Sequence, residues 1–158
     1  MKKSIFLSIV LLLITICPRP ETAAAETAKP VFFTGVKPTP QSMTVYGLVI
    51  PNDVGMLNQG LEIGVFDSQG TLCGASVVNV KNGGSFILQI YGDDLSTPAL
   101  DEGAQPGERL YFNIYSKGAG KTIAASEISQ VVNSYGNKAP RLPLRFEDRG
   151  HYGMDLIF

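Results

Sequence analysis

The sequence predicts an all-β protein built as a single antiparallel β-sandwich of about seven to nine short strands. Apolar and polar residues alternate with a period of two through most of the chain after residue 42, which is typical of strands with one buried face. Glycine and proline are frequent, at 17 and 10 residues, and they interrupt the alternating runs. These features favour a sandwich, with a small β-barrel of the same strands as the alternative.

Seven alternating runs are the predicted strands. They cover residues 43–50, 61–66, 71–80, 85–91, 109–115, 141–146 and 151–158. In the fifth run Leu110, Phe112 and Ile114 fall on one face, which is therefore the buried one. Pro143 interrupts the sixth run and predicts an edge strand or a bulge, because proline cannot donate to a ladder. Residues 124–133 fit a helix and a strand equally well.

Short turn sequences separate the runs. Residues 67–70, DSQG, predict a tight hairpin between the second and third strands. The stretch GAGKT at 118–122 is similar to the end of a phosphate-binding loop, but Tyr115 stands where that motif needs glycine, so a hairpin turn is predicted instead. Gly64 and Gly74 are predicted to leave room for a neighbouring strand or a large side chain.

The N-terminus predicts export. Two lysines precede an apolar run at 5–16, and three alanines follow at 23–25, which is the pattern of a secretory signal peptide cleaved after Ala25. Lipid attachment at Cys17 is the alternative, and the bulky Ile16 directly before it argues against that modification. We therefore expect a periplasmic, outer-membrane-associated or extracellular protein without a transmembrane helix in the mature chain, since a span needs about 20 apolar residues.

Removal of residues 1–25 leaves 133 residues, with a Pro- and Thr-rich lead-in at 26–42 and one sandwich domain at 43–158. An edge strand is expected in the lead-in at 31–33. The cut removes three basic side chains and one acidic one, which leaves 10 and 13 and a net charge of −3. This charge gives no reason to expect nucleic acid or nucleotide as a partner. Cys73 then has no disulfide partner, and its apolar neighbours predict a buried thiol.

The sequence contains few of the side chains that the common classes of enzyme need. His151 is the single histidine, which excludes a multi-histidine metal site, and the chain has no G-x-S-x-G nucleophile elbow. Paired carboxylates hydrolyse glycosides when a cleft holds them, but the chain has no tryptophan to form a sugar platform. A non-enzymatic protein without catalytic residues is therefore predicted, and a carboxylate-dependent polysaccharide hydrolase is kept as an alternative.

One loop, YGDDLSTPALDEGAQPGE at residues 91–108, concentrates five carboxylates and contains no basic side chain. Calcium takes six to eight oxygen ligands from carboxylates, carbonyls and water, and an irregular loop supplies all of these. Calcium is thus the one candidate cofactor, and its predicted ligands are Asp93, Asp94, Asp101 and Glu102. The other interpretation is that these carboxylates only cap turns and solvate the loop.

Two stretches resemble a recurring, poorly characterised β-rich module of secreted and cell-surface bacterial proteins, of the immunoglobulin-like sandwich type. They read GLEIGVFDSQGTLCGASVV over residues 60–78 and LQIYGDDLSTPALDEGAQPGERLYFNIY over residues 88–115. The likeness covers about residues 44–126 and depends on a D-x-x-G turn, a C-G pair and a D-E-G-A-x-P-G-E turn. What the resemblance implies is an accessory or binding role without known catalytic residues.

These observations predict an exported, non-enzymatic binding or accessory module of the bacterial cell envelope or surface, with a glycan or a protein as its partner. Tyr91, Tyr111 and Tyr115 are the candidate ligand-binding residues, because their flat rings can stack on a sugar face. The alternating residues 152–158 resemble the last strand of outer-membrane barrels. A small outer-membrane β-barrel or membrane-associated protein is therefore the alternative function.

Overall fold

Alternating apolar residues form the facing sides of two four-stranded sheets. Within residues 28–133 and 140–158, the part of the chain that this computed structural model describes, there are eight strands. They are β1 (Ser42–Ile50), β2 (Leu61–Phe66), β3 (Leu72–Val77), β4 (Ser85–Tyr91), β5 (Tyr111–Ser116), β6 (Lys121–Ile123), β7 (Ser129–Val132) and β8 (His151–Ile157). The first sheet has the order β4-β1-β8-β7 and the second the order β3-β2-β5-β6, so the all-β sandwich prediction is confirmed. The predicted signal peptide, residues 1–25, and Cys17 lie outside the described residues.

One strand pair departs from the antiparallel pattern. Strands β1 and β8 run parallel, with Thr44 opposite His151 and Val49 opposite Leu156. The other pairs within the two sheets are antiparallel. The parallel pair occupies the middle of the first sheet, where β1 and β8 lie between the edge strands β4 and β7.

The period-two alternation determines the core. Val45 of β1 and Leu88 of β4 are fully buried in one cluster with Ile63 of β2 and with Phe112 and Ile114 of β5. In β1, β4 and β5 the residues between them point to the outer faces, where most are partly exposed, whereas in β2 the intervening Glu62 and Gly64 are buried as well. Burial of a large apolar side chain contributes about 1.5–3 kcal/mol relative to leaving it exposed, so the facing inner sides hold the two sheets together.

Two glycines allow the close contacts that the sequence predicts. A Cβ atom on Gly74 of β3 would lie 2.4 Å from the carbonyl oxygen of Gln89 in β4, because β3 and β4, edge strands of different sheets, pack together there. A Cβ atom on Gly64 of β2 would lie 2.6 Å from Cδ1 of Phe33. Both predictions of close approach are confirmed, the first by a strand and the second by a large side chain.

Both predicted hairpins are present. The turn at residues 67–70 joins β2 to β3, and its Gly70 has a φ of +91°, a conformation that glycine adopts without strain. The turn that contains Gly118 and Gly120 joins β5 to β6, which confirms the hairpin interpretation of the GAGKT stretch.

The predicted strand at residues 141–146 is wrong. An isolated bridge pairs Arg145 with Arg109, just before β5, and backbone hydrogen bonds connect Leu144 to Leu110 and Phe146 to Glu108. Leu144 and Phe146 are buried as the alternation requires, but Pro143 has no N–H to donate, and the N–H of Leu144 donates to the side chain of Gln130. A regular ladder therefore does not form, although the buried faces of the two apolar residues are kept.

Two further segments do not form a single strand. Residues 31–33 form a bend and not the expected edge strand, because their N–H groups donate to a side chain instead of a neighbouring backbone. Residues 124–133 divide into a single 3-10 turn, Ala125–Glu127, and the strand β7. Among the described residues, no helix has both the length and the apolar character that crossing a membrane requires.

Candidate functional site: the acidic loop and the aromatic face

The acidic loop at residues 91–108 leaves β4 and folds back on its own first residues. The N–H of Asp93 donates to the carbonyl of Ala104, and the N–H of Ala104 donates to the carbonyl of Tyr91. A Cβ atom on Gly103 would lie 2.4 Å from that Tyr91 oxygen, so the return of the chain needs a glycine. These backbone contacts hold the loop in place without any contribution from its carboxylates.

Each of the four predicted calcium ligands accepts a hydrogen bond of its own. Oδ1 of Asp93 accepts from the N–H of Glu102 at 3.3 Å, and Oδ1 of Asp94 accepts from the N–H of Ser96 at 2.9 Å. Oε2 of Glu102 accepts from the Thr97 hydroxyl at 2.6 Å. Oδ2 of Asp101 accepts from the Thr71 hydroxyl at 2.6 Å. The first three bonds close turns within the loop, while the fourth reaches the β2–β3 turn.

The β2–β3 turn and the acidic loop form one structure. Asp67 is buried, and its Oδ1 accepts from the N–H groups of Gln69 and Thr71 at 2.9 Å and 2.8 Å, which shapes the turn. Glu108 accepts from the Ser68 hydroxyl and, at 3.1 Å, from the Ser68 N–H. Its other oxygen accepts from the N–H of Gln105 at 2.9 Å. The D-x-x-G turn and the D-E-G-A-x-P-G-E turn, distant in sequence, therefore touch each other.

A hollow of about 230 Å³ lies between this turn and the loop. Of the four predicted ligands, Asp93 and Asp101 line it, together with Asp67 and Glu108, while Asp94 and Glu102 do not. The described residues contain no group of three or more His, Cys, Asp or Glu side chains placed to hold a metal ion. Calcium stays a prediction. Sequence reasoning missed Asp67 and Glu108 as lining residues, although both belong to the two turns that carry the resemblance.

Two carboxyl groups of the loop have pKa values below their ordinary range. The N–H and hydroxyl of Ser96 lower the pKa of Asp94. Burial raises the pKa of Glu108, but the bonds from the Ser68 hydroxyl and from the N–H groups of Gln105 and Ser68 outweigh it and hold the pKa below 4.5. Both carboxylates are therefore stabilised in the ionised, hydrogen-bonded form.

The outer side of the second sheet carries several rings. Strand register places Glu62 opposite Tyr115, Gly64 opposite Asn113, and Phe66 opposite Tyr111. We call the rings of Phe32, Phe66, Tyr111 and Tyr115 the aromatic face. Beside it, the guanidinium carbon of Arg109 lies 5.0 Å from the centroid of the Tyr111 ring, a cation–π contact.

Residues 31–33, the docking segment, lie across this side of the sheet. Their three N–H groups donate to the Glu62 carboxylate. The distances from nitrogen to carboxylate oxygen are 2.9 Å for Val31, 2.8 Å for Phe32 and 3.3 Å for Phe33. The Phe32 ring stacks on Tyr115 with centroids 3.7 Å apart, and Phe33 is buried over Gly64. The lead-in is thus a bound peptide segment and not an added strand.

The three predicted ligand-binding tyrosines do not form one platform. Tyr111 and Tyr115 share the aromatic face, whereas Tyr91 ends β4 in the first sheet. One side of the Tyr115 ring is covered by Phe32. Sequence reasoning missed both Phe32 and Arg109, and the adjacent phenylalanines in a Pro-rich lead-in were the signal that could have indicated a docked segment.

Cys73 is fully buried in the core, as the sequence predicts. Burial raises the pKa of its thiol to about 12, and the negative charge of Asp67 acts in the same direction. The thiol is therefore protonated at neutral pH and packs as a small apolar side chain.

The fold and the site define an all-β sandwich with a hydrogen-bonded acidic loop at one end and an aromatic outer face on one sheet. Comparisons with protein-family models, with curated proteins and with solved structures find no match to this chain.

Proposed function

We propose that this protein is an exported, non-enzymatic binding module of the bacterial cell envelope, and that it contacts a glycan or protein partner through the aromatic face. The observation that carries the proposal is the cation–π pair of Arg109 and Tyr111. Both side chains line a second hollow of about 230 Å³, separate from the one beside the acidic loop. Tyrosine and arginine are the side chains that most often dominate binding energy, since they combine a large contact area with directed hydrogen bonds.

The neighbours of this pair favour recognition of a partner. Arg109 is exposed, and Phe32 keeps 49% of its surface exposed although it stacks on Tyr115. Gln130 and Leu142 line the same hollow and add a polar amide and an apolar contact. A shallow surface with rings, a guanidinium and an amide suits both the faces and hydroxyl groups of a sugar and the backbone of a polypeptide.

The acidic loop has a supporting role in this proposal. Its carboxylates accept hydrogen bonds from the loop itself and from the adjacent turn, an arrangement that stiffens the end of the sandwich. We assign it no catalytic residue. The alternation of residues 152–158, which motivates the membrane alternative, is used for packing, since Tyr152, Met154 and Leu156 are buried in the core.

Retention on isolated cell envelopes tests the proposal. We expect purified protein to sediment with envelopes, and Arg109→Ala and Tyr111→Ala each to weaken this binding about thirtyfold, which corresponds to the loss of one binding hot spot. Ile87→Ala is the matched control, because Ile87 is 75% exposed on the outer side of the other sheet. Protease treatment of the envelopes removes a protein partner, and periodate oxidation removes a glycan. Equal retention of all variants would contradict the proposed surface, and catalytic turnover that depends on an acidic-loop carboxylate would contradict the non-enzymatic role.

A further inference from the structure

We propose that the groove formed by Glu62, Gly64, Phe66 and Tyr115 also accepts the docking segment of a second copy of this chain, so that two copies exchange residues 31–33. The proposal concerns self-association, and it does not depend on the envelope-binding role proposed above. It follows from how the groove is built, how the segment is attached, and what remains exposed after docking.

The groove recognises a polypeptide backbone. Glu62 is only 6% exposed, and its carboxylate accepts from three consecutive N–H groups. A buried carboxylate without hydrogen-bond donors is costly, so the groove requires an occupant that presents adjacent N–H groups. This requirement is met equally well by the same segment from either copy.

The groove also selects side chains. Gly64 leaves the space into which the Phe33 ring fits, and that ring meets Phe66 edge to face with centroids 5.8 Å apart. Tyr115 offers a flat surface on which the Phe32 ring lies nearly parallel, at an angle of 5°. An extended segment with two adjacent aromatic residues therefore fits, and this chain supplies one at 31–33.

The docking segment can leave the groove without breaking a strand pair. It precedes β1 and takes part in neither sheet. Thr39 and Gln41 are hydrogen-bonded to Gly92, so the part of the linker free to move is residues 34–38. These five residues span about 17–18 Å when extended, a reach that lets the segment dock on a molecule held close by. Gly35 has a φ of +94° with open space where a Cβ atom would stand, so the path of the linker can change there.

Apolar surface remains after docking. Val31 keeps 76% and Phe32 49% of its surface exposed, so the docked segment is accessible to a second copy. Exchange re-forms the same contacts, so the balance between the two forms depends on concentration. A short linker holds its segment at an effective concentration of the order of 1 mM, and a segment docked nine-tenths of the time at that concentration binds with a Kd of about 0.1 mM or less.

Complementary variants test the exchange in the full chain. One copy carries Phe32→Ala and Phe33→Ala and has an intact groove, while the other carries Glu62→Ala and has an intact segment. At about 0.3 mM each, above the expected Kd, we expect sedimentation velocity to show a one-to-one complex in the mixture and a monomer for each variant alone. A chain with all three substitutions is the control, and it forms no complex with the Glu62→Ala copy. A mixture that contains only monomers of folded variants overturns the proposal.

Cross-linking provides the second measurement, which is used if the double alanine variant does not fold. In a Cys17→Ser background, Phe32→Cys is placed in one copy and Tyr115→Cys in the other, because these two rings stack. Exchange predicts a mixed covalent dimer after mild oxidation, and Ile87→Cys in place of Tyr115→Cys predicts none. Absence of the mixed dimer overturns the proposal, while retention of the Arg109→Ala variant on envelopes measures the proposed function separately.

Discussion

The Thr71 hydroxyl donates a 2.6 Å hydrogen bond to Oδ2 of Asp101, and this bond joins the β2–β3 turn to the acidic loop. With the bonds between Ser68 and Glu108, it connects residues 60–78 with residues 88–115. Local turn geometry and a long-range contact thus meet at one end of the sandwich, and several measurable consequences arise there.

Thr71→Val tests the contribution of this connection to stability. Valine keeps the shape of threonine and removes the donor, so we expect the free energy of unfolding to fall by about 0.5–1 kcal/mol, at the lower end for a hydrogen bond because Asp101 is exposed. Urea denaturation of Thr71→Val, Asp101→Ala and the double variant gives the coupling between the two side chains. Strictly additive losses would show that the bond contributes nothing.

Calcium is tested by melting curves with added calcium and with chelator. The separate hydrogen bonds accepted by the four predicted ligands favour the interpretation that these carboxylates only cap turns, which predicts the same melting temperature in both conditions. An ion at one hundred times its Kd would instead add about 2.7 kcal/mol. Such a rise, if abolished by Asp101→Asn and kept in Asp94→Asn, would assign the ion to the hollow that Asp93 and Asp101 line.

Glu108 makes stability depend on pH in the acid range. Its folded-state pKa lies below the ordinary 4.5, so the unfolded chain binds the proton more tightly. The stabilisation by Glu108 is therefore fully present above the unfolded pKa and is lost as the pH falls through the folded one. We expect Glu108→Gln to be less stable than the natural chain at about pH 6, and the difference in urea midpoint to shrink towards about pH 3. A difference that grows on acidification would contradict this sign.

Gly64→Ala tests the fit of the docking segment. The new Cβ atom would lie 2.6 Å from the Phe33 ring, which must shift out of its buried position. We expect a loss of about 1–3 kcal/mol, as for other overpacked sites. The same substitution in a Phe33→Ala background removes the clash, so it is expected to cost much less there. An equal cost in both backgrounds would place the strain elsewhere in β2.

Cys73 is expected to resist thiol reagents while the protein is folded. Its pKa of about 12, raised from 9.0, reduces the thiolate fraction at neutral pH about a thousandfold, and burial also blocks the approach of the reagent. In a Cys17→Ser chain, mass spectrometry after maleimide treatment should show no labelling until a denaturant is added. Rapid labelling of the native protein would contradict a buried thiol.

The sequence was sufficient for features that depend on neighbouring residues. The alternation of Leu110, Phe112 and Ile114 identifies the buried face of β5, and DSQG identifies the β2–β3 hairpin. It was insufficient where distant residues decide the outcome. The Leu144 N–H is taken by Gln130, so a run with strand-like alternation forms no strand.

In the candidate site, too, contacts between neighbouring residues could be predicted from the sequence and contacts between distant residues could not. Turn chemistry predicts that loop carboxylates cap backbone N–H groups, as Asp94 does for Ser96. Nothing local indicates that Asp101 bonds to Thr71 or that Phe32 covers Tyr115, because each contact joins residues that the fold alone brings together. The long-range contacts that build the hollow and the groove were therefore found only with the structure, although the sequence had singled out Asp93, Asp101 and Tyr115.

The parallel pair of β1 and β8 limits the order in which the strands can pair during folding. The N–H of Leu48 donates to the side chain of Asp155, a residue 107 positions later in the chain. Strand β1 therefore cannot pair with β8, its second neighbour, until most of the polypeptide has been synthesised. A chain that emerges from the ribosome or a translocation pore with its N-terminus first can pair β1 with β4, but β7 has no partner until β8 is released. Closing so long a loop is slow, and premature folding is thereby disfavoured while the polypeptide is still threading.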